Sequence, residues 1–216
     1  NPISSSGFTN TFSTSGGATN VINGTFNANS ANVNLNLSTA SSGTQLLDGT
    51  YAALHFAQSS QGGFGLSNAA TVTMSGGGNL LINDKTSATN FNVNAGSVQI
   101  GTGTSELTST TPTFGPSNAY IASGSSVTFN KLVAHSNSTI FTGNGNLYQA
   151  NSGTVTLTGN SSAFAGNTYV KPGYTLGLGN DGSLGAAGST LNLDSSASTL
   201  LISNTSGTST VGSTIS

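Results

Sequence analysis

The chain reads as an all-β protein, a parallel β-solenoid, on three observations. Apolar and polar residues alternate over runs of three to five positions, so each strand has one face to bury. Turn dipeptides rich in glycine, asparagine and proline separate those runs. From about residue 70 the runs recur every 7 to 11 residues, so three strands make a repeat of roughly 20–30 residues. No run is long enough to form a core alone, and like faces must therefore stack. Coils about 4.8 Å apart, joined by parallel backbone hydrogen bonds, satisfy both needs. About seven to nine of them predict a rod on the order of 40 Å, with open strand edges at both ends.

Residues 1–65 form the least regular part, an irregular N-terminal β portion or cap. Phe8, Phe12, Val21, Ile22 and Phe26 are isolated apolar points among Ser, Thr, Asn and Gly. Val33, Leu35 and Leu37 make one clear strand, with Asn32, Asn34 and Asn36 on its other face. Leu46, Leu47 and Tyr51 follow. The piece from Asp48 fits either a short helix capped by Asp48 or a strand burying Ala52, Leu54 and Phe56; the surroundings favour the strand. Gly62-Gly63-Phe64-Gly65 reads as a turn.

Residues 66–202 carry the expected solenoid coils. Val72 and Met74 alternate with Thr71 and Thr73, and Gly76-Gly77-Gly78 turns the chain. Leu80 and Ile82 come next, followed by a turn at Asn83-Asp84-Lys85. Phe91 and Val93, then Val98 and Ile100, repeat the scheme. Residues 101–117 break it with two prolines and the only glutamate, Glu106. Proline cannot donate to a central ladder, so this stretch is expected to leave the wall. The rhythm resumes at Val127 and Phe129, and continues through Leu132-Val133, Ile140-Phe141 and Leu147. Thr199 to Ile202 is one more strand. Residues 203–216, with Val211 and Ile215 as their apolar anchors, are a frayed tail or a strand exchanged with a neighbour.

Between Gly153 and Leu193 the pattern is densest: Gly153, Val155, Thr156, Leu157, Gly159, Phe164, Gly166, Thr168, Val170, Gly173, Leu176, Leu178 and Leu184-Gly185. This stretch resembles the passenger-associated (autotransporter-associated β-strand) repeat of bacterial autotransporter passenger domains. Phe164 stands where that pattern has tyrosine, Val155 where it has leucine, and Tyr174 enters before the leucine pair. The resemblance covers about a fifth of the chain. It implies a single right-handed parallel β-helix, less regular at its N-terminal part, in a protein at the surface of a Gram-negative bacterium or released from it. It implies almost nothing about activity.

Composition bounds the chemistry. The 216 residues include 3 lysines, 5 acidic residues and no arginine, and charged residues are 4% of the chain against a usual figure of about 25%. Disordered chains of this polarity hold themselves open with charge; here charge is scarce and the apolar residues are patterned, so a fold is expected. There is no cysteine, hence no disulfide framework and no thiol chemistry. Lys85, Lys131 and Lys171 are scattered, so no basic patch offers itself to nucleic acid. A net charge of −2 gives little self-repulsion and favours association. No apolar run reaches the about 20 residues of a transmembrane helix. The chain starts at Asn1 with neither Met nor leader, and is expected to be a mature or excised piece. Contact with an outer membrane would come only through a segment outside it.

Catalytic, cofactor and metal residues are expected to be none. His55 and His135 lie far apart in the chain and lack companion ligands, so surface or half-buried roles are expected. A polysaccharide-acting mechanism needs clustered carboxylates. Of Asp48, Asp84, Glu106, Asp181 and Asp194, only Asp181 and Asp194 are close in sequence, with no supporting Arg, Lys or His; turn duty is expected. No G-x-S-x-G elbow occurs. The Thr71/Thr73 and Thr154/Thr156 pairs suggest an ice-binding face, but they are few and interrupted. The expectation is a non-enzymatic extracellular protein serving adhesion or surface display, toward a host or environmental surface ligand, with residues 101–117 as the ligand-binding excursion. The alternative is a structural subunit that self-associates through its ends into a filament or surface layer.

Overall fold

The computed structural model describes residues 3–4, 10–23, 26–57, 64–104, 113–179, 183–203 and 208–216. Among them there is no helix; the architecture is all-β and compatible with a β-solenoid. Four sheets run along the molecule, of nine, nine, four and three strands, and every pairing between named strands is parallel. Each coil adds a strand to a sheet in chain order, which is how short alternating segments obtain neighbours on both edges.

The second sheet shows the principle. Its order from the C-terminal end is Thr214–Ile215, Thr190–Leu193, Asn167–Val170, Asn146–Gln149, Ser126–Phe129, Ser97–Ile100, Asn79–Ile82, Ala52–Ala57 and Asn20–Asn23. In-register pairing builds columns of like side chains. One runs Leu54, Leu80, Val98, Val127, Leu147, Thr168, Leu191; the next runs Phe56, Ile82, Ile100, Phe129, Gln149, Val170. The first sheet stacks Val33, Val72, Phe91, Ala119 and Phe141 in the same way. The two inner faces meet: Phe141 of the first sheet lies 6.3 Å, centroid to centroid, from Phe129 of the second. One continuous apolar core results, from Phe26 to Leu191. Nine strands about 4.8 Å apart give a length of roughly 38 Å.

The glycines of the densest stretch have steric reasons. A Cβ on Gly166 would collide with the carbonyl of Gly145, its counterpart one coil earlier, because the turn backbones of successive coils touch there. A Cβ on Gly153 or Gly159 would likewise meet a backbone carbonyl oxygen, at 2.6 and 2.5 Å respectively. Gly173 has open space but a φ of +81°, which side chains resist.

Coil length varies where the wall is interrupted. A short coil separates the register partners Leu80 and Val98. The coil from Val98 to Val127 is longer, and the stretch from Asn20 to its partner Leu54 is longer still. The extra residues of that longest coil include a segment at 44–52 that lies over the second sheet.

Several expectations need correction. Phe64 and Gly65 open the long strand Phe64–Ser75 rather than a turn, so that strand crosses the expected boundary at 65/66; Gly62 and Gly63 lie outside the described residues. The strand tolerates its length through register shifts near Leu66 and Ala69, with Asn68 at φ +53°. Of residues 1–65, expected as an irregular β portion or cap, Asn10–Thr14, Asn20–Asn23 and Val33–Leu37 pair into the same two large sheets. Lys85 begins the strand Lys85–Val93, leaving Asn83 and Asp84 as the corner. The excursion expected at 101–117 does not include its last part, because Thr113–Phe114 pairs with Lys85 and Thr86, and Phe114 is buried against Phe91. Residues 105–112, including Glu106, lie outside the described residues, as do Phe8, Asp181 and residues 204–207.

Adjacent apolar pairs behave as strand geometry demands, since successive side chains point to opposite faces. Phe141 is buried while Ile140 is 37% exposed, and Leu132 and Val133 form an exposed corner instead of a wall strand. Where it is described, the tail is paired within its own chain. Thr210–Val211 pairs with Ser183–Leu184, and Thr214–Ile215 with Thr190 and Leu191, within the same chain.

Candidate functional site

The outward face of the second sheet carries a groove and a stacked tyrosine pair. Between the two inward columns runs an outward one: His55, Leu81, Gln99, Thr128, Tyr148, Tyr169, Asn192. Leu81 and Gln99 are buried despite facing outward, because the segment 44–52 folds over them. That segment is a tight hairpin, with Leu46 N–H donating to Thr50 O at 2.7 Å and Ala52 N–H to Thr44 O at 2.8 Å. Asp48 sits at its tip, where Oδ1 accepts from the Thr50 amide at 3.0 Å and the Thr50 hydroxyl at 2.6 Å. Leu46 packs with Ala52 and Leu81 in a small apolar cluster of its own. Gln99 ties hairpin to sheet: its Oε1 accepts from the Leu47 amide at 2.7 Å, and its Nε2 donates to Gly101 O at 2.8 Å.

Beyond the hairpin the outward column opens into a groove of about 390 Å³. Leu46, Leu47 and Asp48 form one wall, Ser97, Ser126 and Thr128 the floor, and Tyr148 and Lys171 the far wall. The Ser126 hydroxyl donates to that of Ser97 at 3.0 Å. Tyr148 stacks on Tyr169 with centroids 4.9 Å apart and planes at 15°. Lys171 Nζ lies 5.5 Å from the centre of the Tyr148 ring and 3.0 Å from Asp194 Oδ2. The sequence neighbourhood offers Asp194 no basic partner; Lys171, one coil earlier, supplies it. Burial, with Tyr169 adding to it, raises the Tyr148 phenol above its usual range, so it remains a hydrogen-bond donor at neutral pH.

The residues singled out for chemistry are dispersed. His55 and His135 are both half-buried and on different sheets. Burial lowers the His55 pKa; burial and then the nearby Lys131 charge lower that of His135 to about 4, so both imidazoles are neutral near pH 7. No group of three or more His, Cys, Asp or Glu that could hold a metal exists among the described residues. Asp84 is fully buried at its corner, with Oδ1 accepting from the Lys85 amide at 2.7 Å, which is turn duty of the expected kind. Thr73 has Asn34 and Asn92 as its lateral neighbours, and Thr156 has Ser136 and Gly177, so neither pair extends into a threonine rank.

Polar groups inside the stack are structural. Asn137 Nδ2 donates to Phe114 O at 2.6 Å, and Asn151 Nδ2 donates to Asn130 Oδ1 at 2.8 Å, an amide ladder at a corner. The groove leaves no local signature in the chain because its residues come from separate stretches between Leu46 and Lys171. The only sequence signal that could have found it was the outward position of Tyr148 and Tyr169, which occupy equal phase in successive coils. No known protein family, curated protein or solved structure matches the chain.

Proposed function

We propose that the chain is a single right-handed parallel β-helix of the passenger type, displayed on or released from a Gram-negative bacterial surface, and that it serves adhesion without enzymatic activity. Handedness follows from general stereochemistry, since parallel strands joined by crossovers in one sheet are right-handed in about 98% of cases. The passenger reading rests on the repeat between Gly153 and Leu193, whose glycines lie where coil meets coil or where φ is positive. Adhesion rests on one observation: the groove between the 44–52 hairpin and Tyr148, a shaped and mixed-polarity surface on a rigid wall. This groove replaces residues 101–117 as the candidate contact. Beads coated with the purified chain should attach to glycan-bearing cell layers several-fold more than albumin-coated beads. Equal attachment would remove adhesion.

A second reading, end-to-end self-association into a filament or surface layer, is favoured by a different observation. Leu201, Ile202 and Ile215 are 46%, 54% and 54% exposed on the outermost strands of the C-terminal coil. Their backbone edges are open to a further parallel strand. Strand lending by the tail is not part of this reading, because the tail pairs within its own chain. Light scattering across a concentration series tests it: a mass that stays monomeric throughout excludes end-to-end stacking.

A further inference from the structure

We propose that the groove binds one neutral, gluco-configured pyranose ring of a polysaccharide, laid face-on against Tyr148; the inference rests on the adhesion reading and names its ligand. The argument starts from the tyrosine ladder. The 4.9 Å between the Tyr148 and Tyr169 centroids equals the spacing of their parallel strands, so the two rings follow one another along the stack with nearly parallel planes. Tyr169 covers one face of Tyr148. The opposite face looks toward Thr128, its register partner one coil back, whose side chain is too short to cover a ring. One coil further, Gln99 is turned into the hairpin by its bonds to Leu47 and Gly101. The ladder therefore stops at Tyr148, whose ring lines the groove beside Lys171, with Nζ 5.5 Å from the ring centre.

The interval from the Tyr148 rung to the Gln99 rung is about 10 Å, enough for one saturated six-membered ring between its two walls. Those walls are the aromatic face of Tyr148 and the apolar hairpin residues Leu46 and Leu47. A ring held between two apolar walls must present C–H groups on both faces and carry its hydroxyls at the rim. The all-equatorial glucose configuration does this, and its C–H edges meet the negative face of the tyrosine quadrupole. Around the rim lie the hydroxyls of Ser97, Ser126 and Thr128, with the Asp48 carboxylate at one end. A flat aromatic side chain would match the Tyr148 face but leave that polar rim without partners. Charge selects a neutral ligand: Lys171 is paired to Asp194, and Asp48 at the other end discourages an anion.

The test is titration of the full chain with the β-1,4-linked glucose hexasaccharide, followed by calorimetry and by tyrosine emission, which no tryptophan masks. Saturable binding is expected. Tyr148→Ala should weaken it about tenfold, Tyr148→Phe should keep it within about threefold, and Tyr120→Ala, on the exposed face of the first sheet, should leave it unchanged. Thr128→Tyr adds a rung that fills the groove while extending the ladder, and should abolish binding in a folded protein. An α-linked mannose hexasaccharide, with its axial hydroxyl, should bind more weakly. The pyranose site is overturned by absence of saturation, by insensitivity to Thr128→Tyr, or by preference for N-acetyl-phenylalaninamide over the sugar. Bead attachment without sugar binding would remove the pyranose site and leave adhesion standing; sugar binding without bead attachment would do the reverse.

Discussion

Tyr148 and Tyr169 stand one coil apart with their rings 4.9 Å from centroid to centroid, the same separation as the strands that carry them. The outer face of the second sheet thus repeats at the period of its backbone. Stacked pairs of this kind contribute about 0.5–1.5 kcal/mol beyond area burial. A double-mutant cycle of Tyr148→Ala and Tyr169→Ala, read by urea unfolding, should return a coupling energy in that range. A coupling near zero would mean that the ladder is incidental to stability.

Gly166→Ala and Gly173→Ala separate two reasons for glycine. At Gly166 the added Cβ has nowhere to go because the Gly145 carbonyl is already there, and overpacking of that kind costs about 1–3 kcal/mol. At Gly173 space is open and only the positive φ resists, about 1–2 kcal/mol. Alanine at 166 should lower the urea midpoint more than alanine at 173, and should also disturb the coil before it.

Thr168→Val should stabilise the protein. Thr168 interrupts the column between Leu147 and Leu191, is 1% exposed, and its Oγ1 has no hydrogen-bond partner among the described residues. Burying a hydroxyl without compensation costs about 1–3 kcal/mol, and valine has nearly the same shape. A gain of about 1 kcal/mol in unfolding free energy is expected; a loss would reveal that the hydroxyl is satisfied. The neighbouring Gln149 is different, because its Nε2 donates to Asn151 O and Gly153 O at 2.8 Å each. Gln149→Leu should therefore destabilise.

His135 makes the protein acid-sensitive in a defined window. Its imidazole is held at about 4 in the folded state by burial and by Lys131, against 6.5 when unfolded. Between those values the unfolded chain binds the extra proton, so stability rises with pH there. The contribution is fully present above about 6.5 and is lost as pH falls toward 4. His135→Gln should flatten the pH dependence of the thermal midpoint in this window, and His55, also depressed by burial, should leave a smaller residual slope.

Leu201→Lys with Ile202→Lys places charge on the exposed C-terminal coil, where Ile202 is the last rung of the column above Leu178. If copies stack through that end, the double variant should reduce the mass seen by light scattering toward the monomer. An unchanged distribution would exclude that end as the joint.

Alternation made most of the wall legible. Val33 to Leu37, Leu80 to Ile82, Val127 to Phe129 and Leu176 to Leu178 all bury the face that their period marks, because a strand has only two faces and water excludes apolar groups from one of them. Local reading failed where a breaker residue sat inside a strand, as at Gly65, or where proline marked a longer departure than the chain makes, as at Phe114. In both places ladder hydrogen bonds from neighbouring coils outweigh the local preference.

By itself the sequence determined the all-β class, the repeat, the identity of the inward residues and the poverty of charged chemistry, since each depends on spacing along the chain. Register between coils was decided only by the tertiary structure, and with it everything that depends on register: the tyrosine ladder, the Lys171–Asp194 pair, and the hairpin at Asp48 folded over Leu81. The physical reason is that coils of unequal length, short from Leu80 to Val98 and long from Asn20 to Leu54, bring together positions whose separation has no fixed period. A groove built from Leu46, Thr128, Tyr148 and Lys171 exists only once those unequal coils are stacked at a common phase.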